Sequence, residues 1–386
     1  MTARPARAAR LAPSLTLRAG PDALALLRER GLRGEDVDVV PGASGGAKWL
    51  ALAGLDRYVF GELLQAPRAR ALHAIGSSIG SWRLACLAQQ DPVAALERGH
   101  HAYIYEQRYS GLRPPPAEVS AVLGRALDRL LGATGAAEVL AHPHVRLHVL
   151  TAEARGPAAS DRRGVLTAAL ALAAAGNFVS RRTLGWQLTR CVFHAGGPGA
   201  DTPGADTPGA GAGPFRGLRD LPTVHRPLTR ANVRAALQAS GSIPLLMEGV
   251  RVPGAPGVHW DGGVLDYHPD LDFGAPGEEE AAGLVLYPHF YAHLVPGWFD
   301  KGLPWRRARG PAHARRFRRT LLVAPSPAFV AALPGGKIPD RQDFYALDER
   351  ERVRRWERVA DASRRLGDEL RELVAAGRVA DAAAPW

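Results

Sequence analysis

Apolar residues in the first third of the chain follow two alternating periods. Short apolar runs stop at glycine clusters, and the segments that follow carry apolar residues at helical spacing. Leu15 to Leu17 predicts a short strand, and Pro21 to Arg30 a helix with proline at its first position. Val37 to Val40 predicts a strand running into Gly42-Ala43-Ser44-Gly45-Gly46, with a helix over Lys48 to Leu64. Ala71 to Ile75 predicts the next strand, which stops at Gly76-Ser77-Ser78-Ile79-Gly80 before a helix over Trp82 to Ala88. Val145 to Thr151 alternates as a strand does. The alanine-rich run Val165 to Ala175 predicts a buried helix, too short for the ~20 residues of a membrane span. Thr229 to Ser240 predicts a helix, and Val258 to Trp260 a strand ending at Asp261-Gly262-Gly263. From Arg341 to Val374, Phe344, Leu347, Trp356, Val359, Leu366, Leu370 and Leu373 can share one helical face. Strands alternating with helices predict an α/β fold with a mostly parallel sheet.

Composition narrows the class without choosing a function. Of 386 residues, 46% are hydrophobic and 23% charged, a balance that excludes disorder for the chain as a whole. Two cysteines, Cys86 and Cys191, are too few for a disulfide scaffold and favour a reducing, cytoplasmic setting. The basic start, Met1 to Arg10, meets a proline at position 13, so no secretory signal core is expected. The repeat Gly-Ala-Asp-Thr-Pro within 195–214 predicts a flexible insertion.

Charge changes the picture less than its size suggests. The net charge is +11, from 49 basic and 38 acidic residues, and nearly all the positive charge is arginine; Lys48, Lys301 and Lys337 are the only lysines. Arg306-Arg307-Ala308-Arg309 and Arg315-Arg316-Phe317-Arg318-Arg319 are local patches, but no aromatic stacking platform or base-reading helix accompanies them. Nucleic acid is therefore not an expected partner, whereas an anionic membrane surface suits them, giving a place at the membrane periphery. The aromatic stretch Leu284 to Trp305 fits either a lipid interface or a core beneath a long loop.

The chemistry rests on glycine-flanked serines. Gly-x-Ser-x-Gly occurs at Gly42–Gly46 and at Gly76–Gly80, and either serine gains reactivity only on a tight strand-to-helix turn. Asp261, after a short strand, can serve as a serine's general base without a histidine. His259 and His268 flank it and leave a Ser-His-Asp triad open; His289 and His293, four apart, find no third metal ligand.

Taken in order, Gly45-Gly46-Ala47-Lys48, Gly76 to Gly80, Ala239-Ser240-Gly241-Ser242-Ile243-Pro244 and Asp261 to Gly263 resemble the patatin-like phospholipase family of lipid acyl hydrolases. The resemblance covers roughly 37–270. It implies a three-layer α/β/α catalytic domain over 12–275, with 276–386 a helical C-terminal extension packed upon it. It also implies a Ser78–Asp261 dyad, an oxyanion loop at Gly45, Gly46 and Ala47, substrate-binding neighbours Lys48, Ser77 and Ile79, an ester or lipid substrate, and no metal or cofactor. Ser78 is preferred because the Gly45-Gly46 pair lies 33 residues upstream, room for one helix and one strand. Ser44 is the alternative nucleophile; its loop would have to come from Arg18-Ala19-Gly20. The family's loop carries three consecutive glycines where this chain has Ser-Gly-Gly. A phosphate or nucleotide binder using Gly42 to Lys48 competes, although Lys48 is followed by Trp49 and not Ser or Thr. So does a catalytically silent lipid-binding relative.

Overall fold

A computed structural model describes residues 12–196, 213–273, 283–308 and 311–386. Its strands are β1 (Leu15–Ala19), β2 (Val37–Gly42), β3 (Leu72–Ser77), β4 (Val145–Ala154), β5 (Leu188–His194), β6 (Thr223–Pro227), β7 (Val258–Asp261), β8 (Leu284–Pro288), β9 (Thr320–Pro325) and β10 (Ala383–Pro385). They form one sheet in the order β10-β1-β9-β8-β2-β3-β4-β5-β6, with β7 added on β4. β9, β8, β2, β3 and β4 run parallel at the centre, and helices complete a three-layer α/β/α fold. Buried along their whole length, β8 and β9 read as continuous apolar runs, whereas β4 keeps the alternation seen in its sequence.

Among the described residues eight α-helices precede Gly241: α1 (Pro21–Arg30), α2 (Ala53–Gly61), α3 (Ile79–Leu87), α4 (Pro92–Tyr105), α5 (Pro116–Leu131), α6 (Gly135–Ala141), α7 (Arg163–Val179) and α8 (Val233–Ser240). The helix anticipated over Lys48 to Leu64 is three pieces, a 3₁₀ segment Gly46–Leu52, then α2, then a 3₁₀ turn Leu63–Gln65. The change of pitch bends the chain out of the glycine loop before α2 packs. α3 begins at Ile79, directly after Ser78.

The segment after 275, anticipated as an extension laid on the domain, is woven into the sheet. β8 sits between β2 and β9, and the Trp386 N–H donates to the Ala19 carbonyl. Its helical part is broken into Asp343–Ala346, Glu349–Ala362 and Arg364–Ala375. Ser363 makes the last break, accepting from the Gly54 N–H at 2.8 Å, and Arg364–Ala375 then crosses α2 where Gly54 meets Gly367. Most of the insertion anticipated over 195–214 lies outside the described residues.

α7 differs from expectation. Its inner stripe, Leu166, Ala169, Leu170 and Ala173, is buried against a satellite core with Trp260 and Val264, but its outer face is open. That is an amphipathic placement of a helix with almost no polar residues.

Candidate active site

β4 sets the geometry. One of its edges is taken by β5; the other is shared end to end by β3, paired over Val145 to Leu150, and β7, paired over Thr151 to Ala154. Ser77 lies opposite Leu150 and Asp261 opposite Thr151, so a parallel and an antiparallel strand finish at the same point on β4. The residue after β3 is Ser78, and its Oγ donates to Asp261 Oδ2 at 2.7 Å.

Ser78 occupies a strained backbone conformation, φ 54°, ψ −132°. Only Leu245 shares a positive φ among the described non-glycine residues. The turn is possible because glycines let three backbones meet: a Cβ on Gly80 would lie 2.2 Å from the Gly42 carbonyl oxygen, and one on Gly76 2.7 Å from the Gly80 carbonyl carbon. Gly80→Ala is accordingly expected to destabilise the fold by about 2–3 kcal/mol in urea unfolding; a change under about 0.5 kcal/mol would mean that the turn relaxes freely. The Ala239–Pro244 segment ties both partners down. The Ser78 N–H donates to Ser240 Oγ at 2.9 Å, Ser240 Oγ donates to the Leu150 carbonyl, and the Asp261 N–H donates to the Ser242 carbonyl.

Asp261 is buried, and burial pushes its carboxyl up to about 6; the Ser78 hydroxyl, the Gly263 N–H at 2.7 Å and the Lys301 charge oppose that rise. A base poised near neutral pH suits proton transfer. Its neighbour histidines point elsewhere. His259 bonds Thr151 Oγ1 and the Pro256 carbonyl, and His268 Nδ1 accepts from the Val295 N–H, so neither reaches Ser78.

Ser44 lies nearby without a base. Its Oγ is 2.8 Å from Ser77 Oγ, and Ser77 donates its only proton to the Asp266 carbonyl, so Ser44 donates to Ser77. Ser44 therefore braces Ser77, the residue before the nucleophile, and among the described residues no carboxylate bonds its hydroxyl. Asp266 is held in turn by Arg190, through two bonds of 2.7 Å.

The site opens into a cavity of about 560 Å³ lined by Ser44, Gly45, Gly46, Ala47, Lys48, Ser78, Asp261 and Gly263. Ser77 and Ile79 do not line it: both are buried, Ser77 turned toward Asp266 and Ile79 into the core. The N–H groups of Gly45, Gly46 and Ala47 open the Gly46–Leu52 turn, where a helical segment leaves its first donors without internal partners. Gly46 has φ 54°, and a Cβ on Gly45 would sit 2.8 Å from the Phe290 ring. Apolar walls come from Leu123, Ile243, Leu246, Val264 and Trp298, while 340–352 contribute Arg341, Phe344 and Tyr345.

Lys301 is the residue that sequence alone passed over. It stands on the cavity wall with Nζ 3.9 Å from the centre of the Tyr267 ring. Crowding by protein, and then the like charge of Lys48, draw it down to about 8, against the pull of Asp261. Burial lowers Lys48 as well, opposed by Asp340. Neither ammonium has a salt-bridge partner among the described residues; the third lysine, Lys337, pairs with Asp340 and Asp343. In a chain so rich in arginine, all three lysines gather at this cavity or its rim, a clue available only once the fold is known.

Comparison with protein-family models, with curated proteins and with solved structures finds no match to this chain. His289 and His293 are not on a helix, and among the described residues no group of three or more His, Cys, Asp or Glu side chains could hold a metal ion. Of the aromatic stretch, Tyr287 and Phe290 are core residues, and Trp305 is the exposed exception.

Proposed function

We propose that the protein is a serine acyl hydrolase that cleaves carboxylic esters of phospholipids or related lipids, with Ser78 as nucleophile and Asp261 as general base. The observation that carries this is the 2.7 Å bond between Ser78 Oγ and Asp261 Oδ2, made on a strained turn at the floor of a largely apolar cavity. The ordered motifs resemble those of patatin-like phospholipases, which supports the same reading.

In the proposed reaction Asp261 takes the Ser78 proton while Oγ adds to the ester carbonyl. The oxygen that becomes negative is stabilised by N–H groups of Gly45, Gly46 and Ala47; one such donor is worth roughly 3 kcal/mol of barrier. Protonated Asp261 gives its proton to the departing alkoxide, leaving acyl-Ser78. Water then repeats the cycle, losing a proton to Asp261 as it attacks, and Ser78 leaves reprotonated. Lys48 and Lys301 bring positive charge to the cavity and favour esters carrying an anionic group. A phosphate binder would use those lysines equally, but it has no need of a serine held against a carboxylate.

A fluorophosphonate probe is expected to label Ser78, with labelling lost in Ser78→Ala and kept in Ser44→Ala. Labelling that maps to Ser44, or persists in Ser78→Ala, would overturn the assignment. Tight nucleotide binding without any labelling would favour the binder.

A further inference from the structure

The surface of α7 has no use in the proposed chemistry, and its composition is unusual for a solvent-facing helix. From Arg162 to Gln187 the chain contains no acidic residue, and between Arg163 and Arg181 it contains no charge at all. The side of α7 turned away from the core shows Leu172 and Phe178, each 60% exposed, and Val179 at 80%. Val165, Leu172 and Val179 recur every seven residues and so lie along one line of the helix. Two indoles extend the apolar area. Trp186, 72% exposed, ends the Arg181–Trp186 turn that packs back on α7, and Trp305, 64% exposed, sets its ring perpendicular to Phe178 at 5.7 Å. Large apolar side chains gathered in this way are not the scattered singles of an ordinary surface.

Positive charge brackets this face at both ends. Arg162 and Arg163 stand exposed at the helix N-terminus, where the dipole disfavours cations, and Arg181, Arg182, Arg306 and Arg307 lie at the other end. Asp161, beside the first pair, is the one exposed acid adjoining them in sequence; Asp300, near the second group, is buried against Arg181 and Asn177. An apolar stripe with aromatic rims and flanking arginines is the pattern of a helix lying flat in a bilayer interface. A second copy fits poorly. Antiparallel pairing across a two-fold axis would set Arg162 and Arg163 against Arg181 and Arg182 of the other copy.

The stripe is also coupled to the cavity. Arg306 Nη2 donates to the carbonyls of Asn177, Phe178 and Val179, and Asn177 Nδ2 donates to Asp300 at 2.8 Å. The turn Trp298–Asp300 packs against α7 on one side and against Gly262–Val264, the turn directly after Asp261, on the other. Trp298 and Lys301 from this same stretch line the cavity.

We propose that the outer face of α7, with Trp186 and Trp305 at its rim, docks the protein on anionic bilayers and sets the cavity beside the lipid surface. The inference extends the acyl-hydrolase reading by naming where the substrate is met. Among the described residues no helix is long and apolar enough to cross a membrane, so α7 acts in the plane of the interface.

The test uses full-length Ser78→Ala protein, which cannot consume the lipid under the proposed mechanism, and co-sedimentation with vesicles. One set is phosphatidylcholine alone and the other phosphatidylcholine with phosphatidylglycerol, each at low and at high salt. Binding is expected on the anionic vesicles, falling with salt, and weaker on the neutral ones by on the order of ten-fold. Leu172→Glu with Phe178→Glu should lower it by on the order of ten-fold, as should Arg162→Glu with Arg182→Glu. In the otherwise wild-type chain both pairs should leave melting and hydrolysis of a water-soluble ester unchanged. No binding at low salt overturns the proposal. So does binding that survives the Leu172 and Phe178 changes, or a lipid-free dimer that those changes dissolve. Failure of the hydrolase reading looks different: no probe labelling and no ester turnover, with vesicle binding intact.

Discussion

Asp261→Asn is expected to lower ester turnover by on the order of 10⁴-fold while making the protein more stable at neutral pH. The amide can still accept from the Gly263 N–H and stay near Ser78, but it cannot take the serine proton. The stability gain has the opposite origin to most mutational effects. The buried carboxyl titrates at about 6 against 3.8 in its ordinary state, so between those values the folded protein binds more proton than the unfolded chain. Stability from this group is therefore full below about pH 4 and falls as pH rises through 6. The cost above pH 6 is about 3 kcal/mol, since every ten-fold difference in proton affinity between the folded and unfolded chain is worth ~1.4 kcal/mol. Melting curves should show the Asn variant above wild type at pH 8 and level with it near pH 4. The same carboxyl sets the acid limb of the rate, with kcat/KM falling about ten-fold per pH unit below pH 6. A variant that keeps a tenth of wild-type activity, or a rate flat from pH 4 to 8, would remove Asp261 from the mechanism.

Asp56→Ala is the second large effect, and it acts on the scaffold. Arg83 leaves α3 one turn after Ser78 and is almost wholly buried, held by Asp56 of α2 through bonds of 2.7 and 2.6 Å. Burial pushes the Asp56 carboxyl up and the Arg83 charge opposes it, so the pair is stable only as a pair. Removing one member strands a charge in the core, at a cost of about 3–5 kcal/mol. The apolar double change Asp56→Leu with Arg83→Met should recover most of that loss in urea unfolding. A loss below about 1 kcal/mol for Asp56→Ala would show that water reaches Arg83.

The parts of the fold legible in sequence were those where local pattern and local geometry agree. β2 and β3 are apolar runs ended by glycines, and the glycines are there because backbones touch at Gly42, Gly76 and Gly80. β8 and β9 are equally apolar, but five or six such residues read alike as strand or buried helix. Nothing local says that Leu284–Pro288 enters beside β2. Sheet order is a long-range property, and hence 276–386 read as an addition. α7 misled for a related reason: an alanine-rich run has no polar side to betray that half of it is exposed.

At the site, the order of motifs brought Asp261 forward and favoured Ser78 over Ser44, but it left Ser44 as an alternative. The distinction lies in which serine finds the carboxylate, and that depends on β7 ending against β3 on a shared edge of β4. Lys301 carries no motif; what marks it is Tyr267 beneath its ammonium and Lys48 across the cavity.

Gly42 and Gly76 sit opposite one another in neighbouring parallel strands, so the two five-residue patterns are stacked in register. The chain spells one word twice, side by side, and pronounces it differently. One copy is twisted through a left-handed serine into a reactive hydroxyl; the other hands its serine to the neighbouring turn and offers amides to the cavity. A pattern search would count two hydrolytic serines, whereas the positive φ falls on the serine in one pattern and on Gly46 in the other. Moving the nucleophile from one to the other would require inverting φ at two positions, a change of shape that no exchange of side chains can supply.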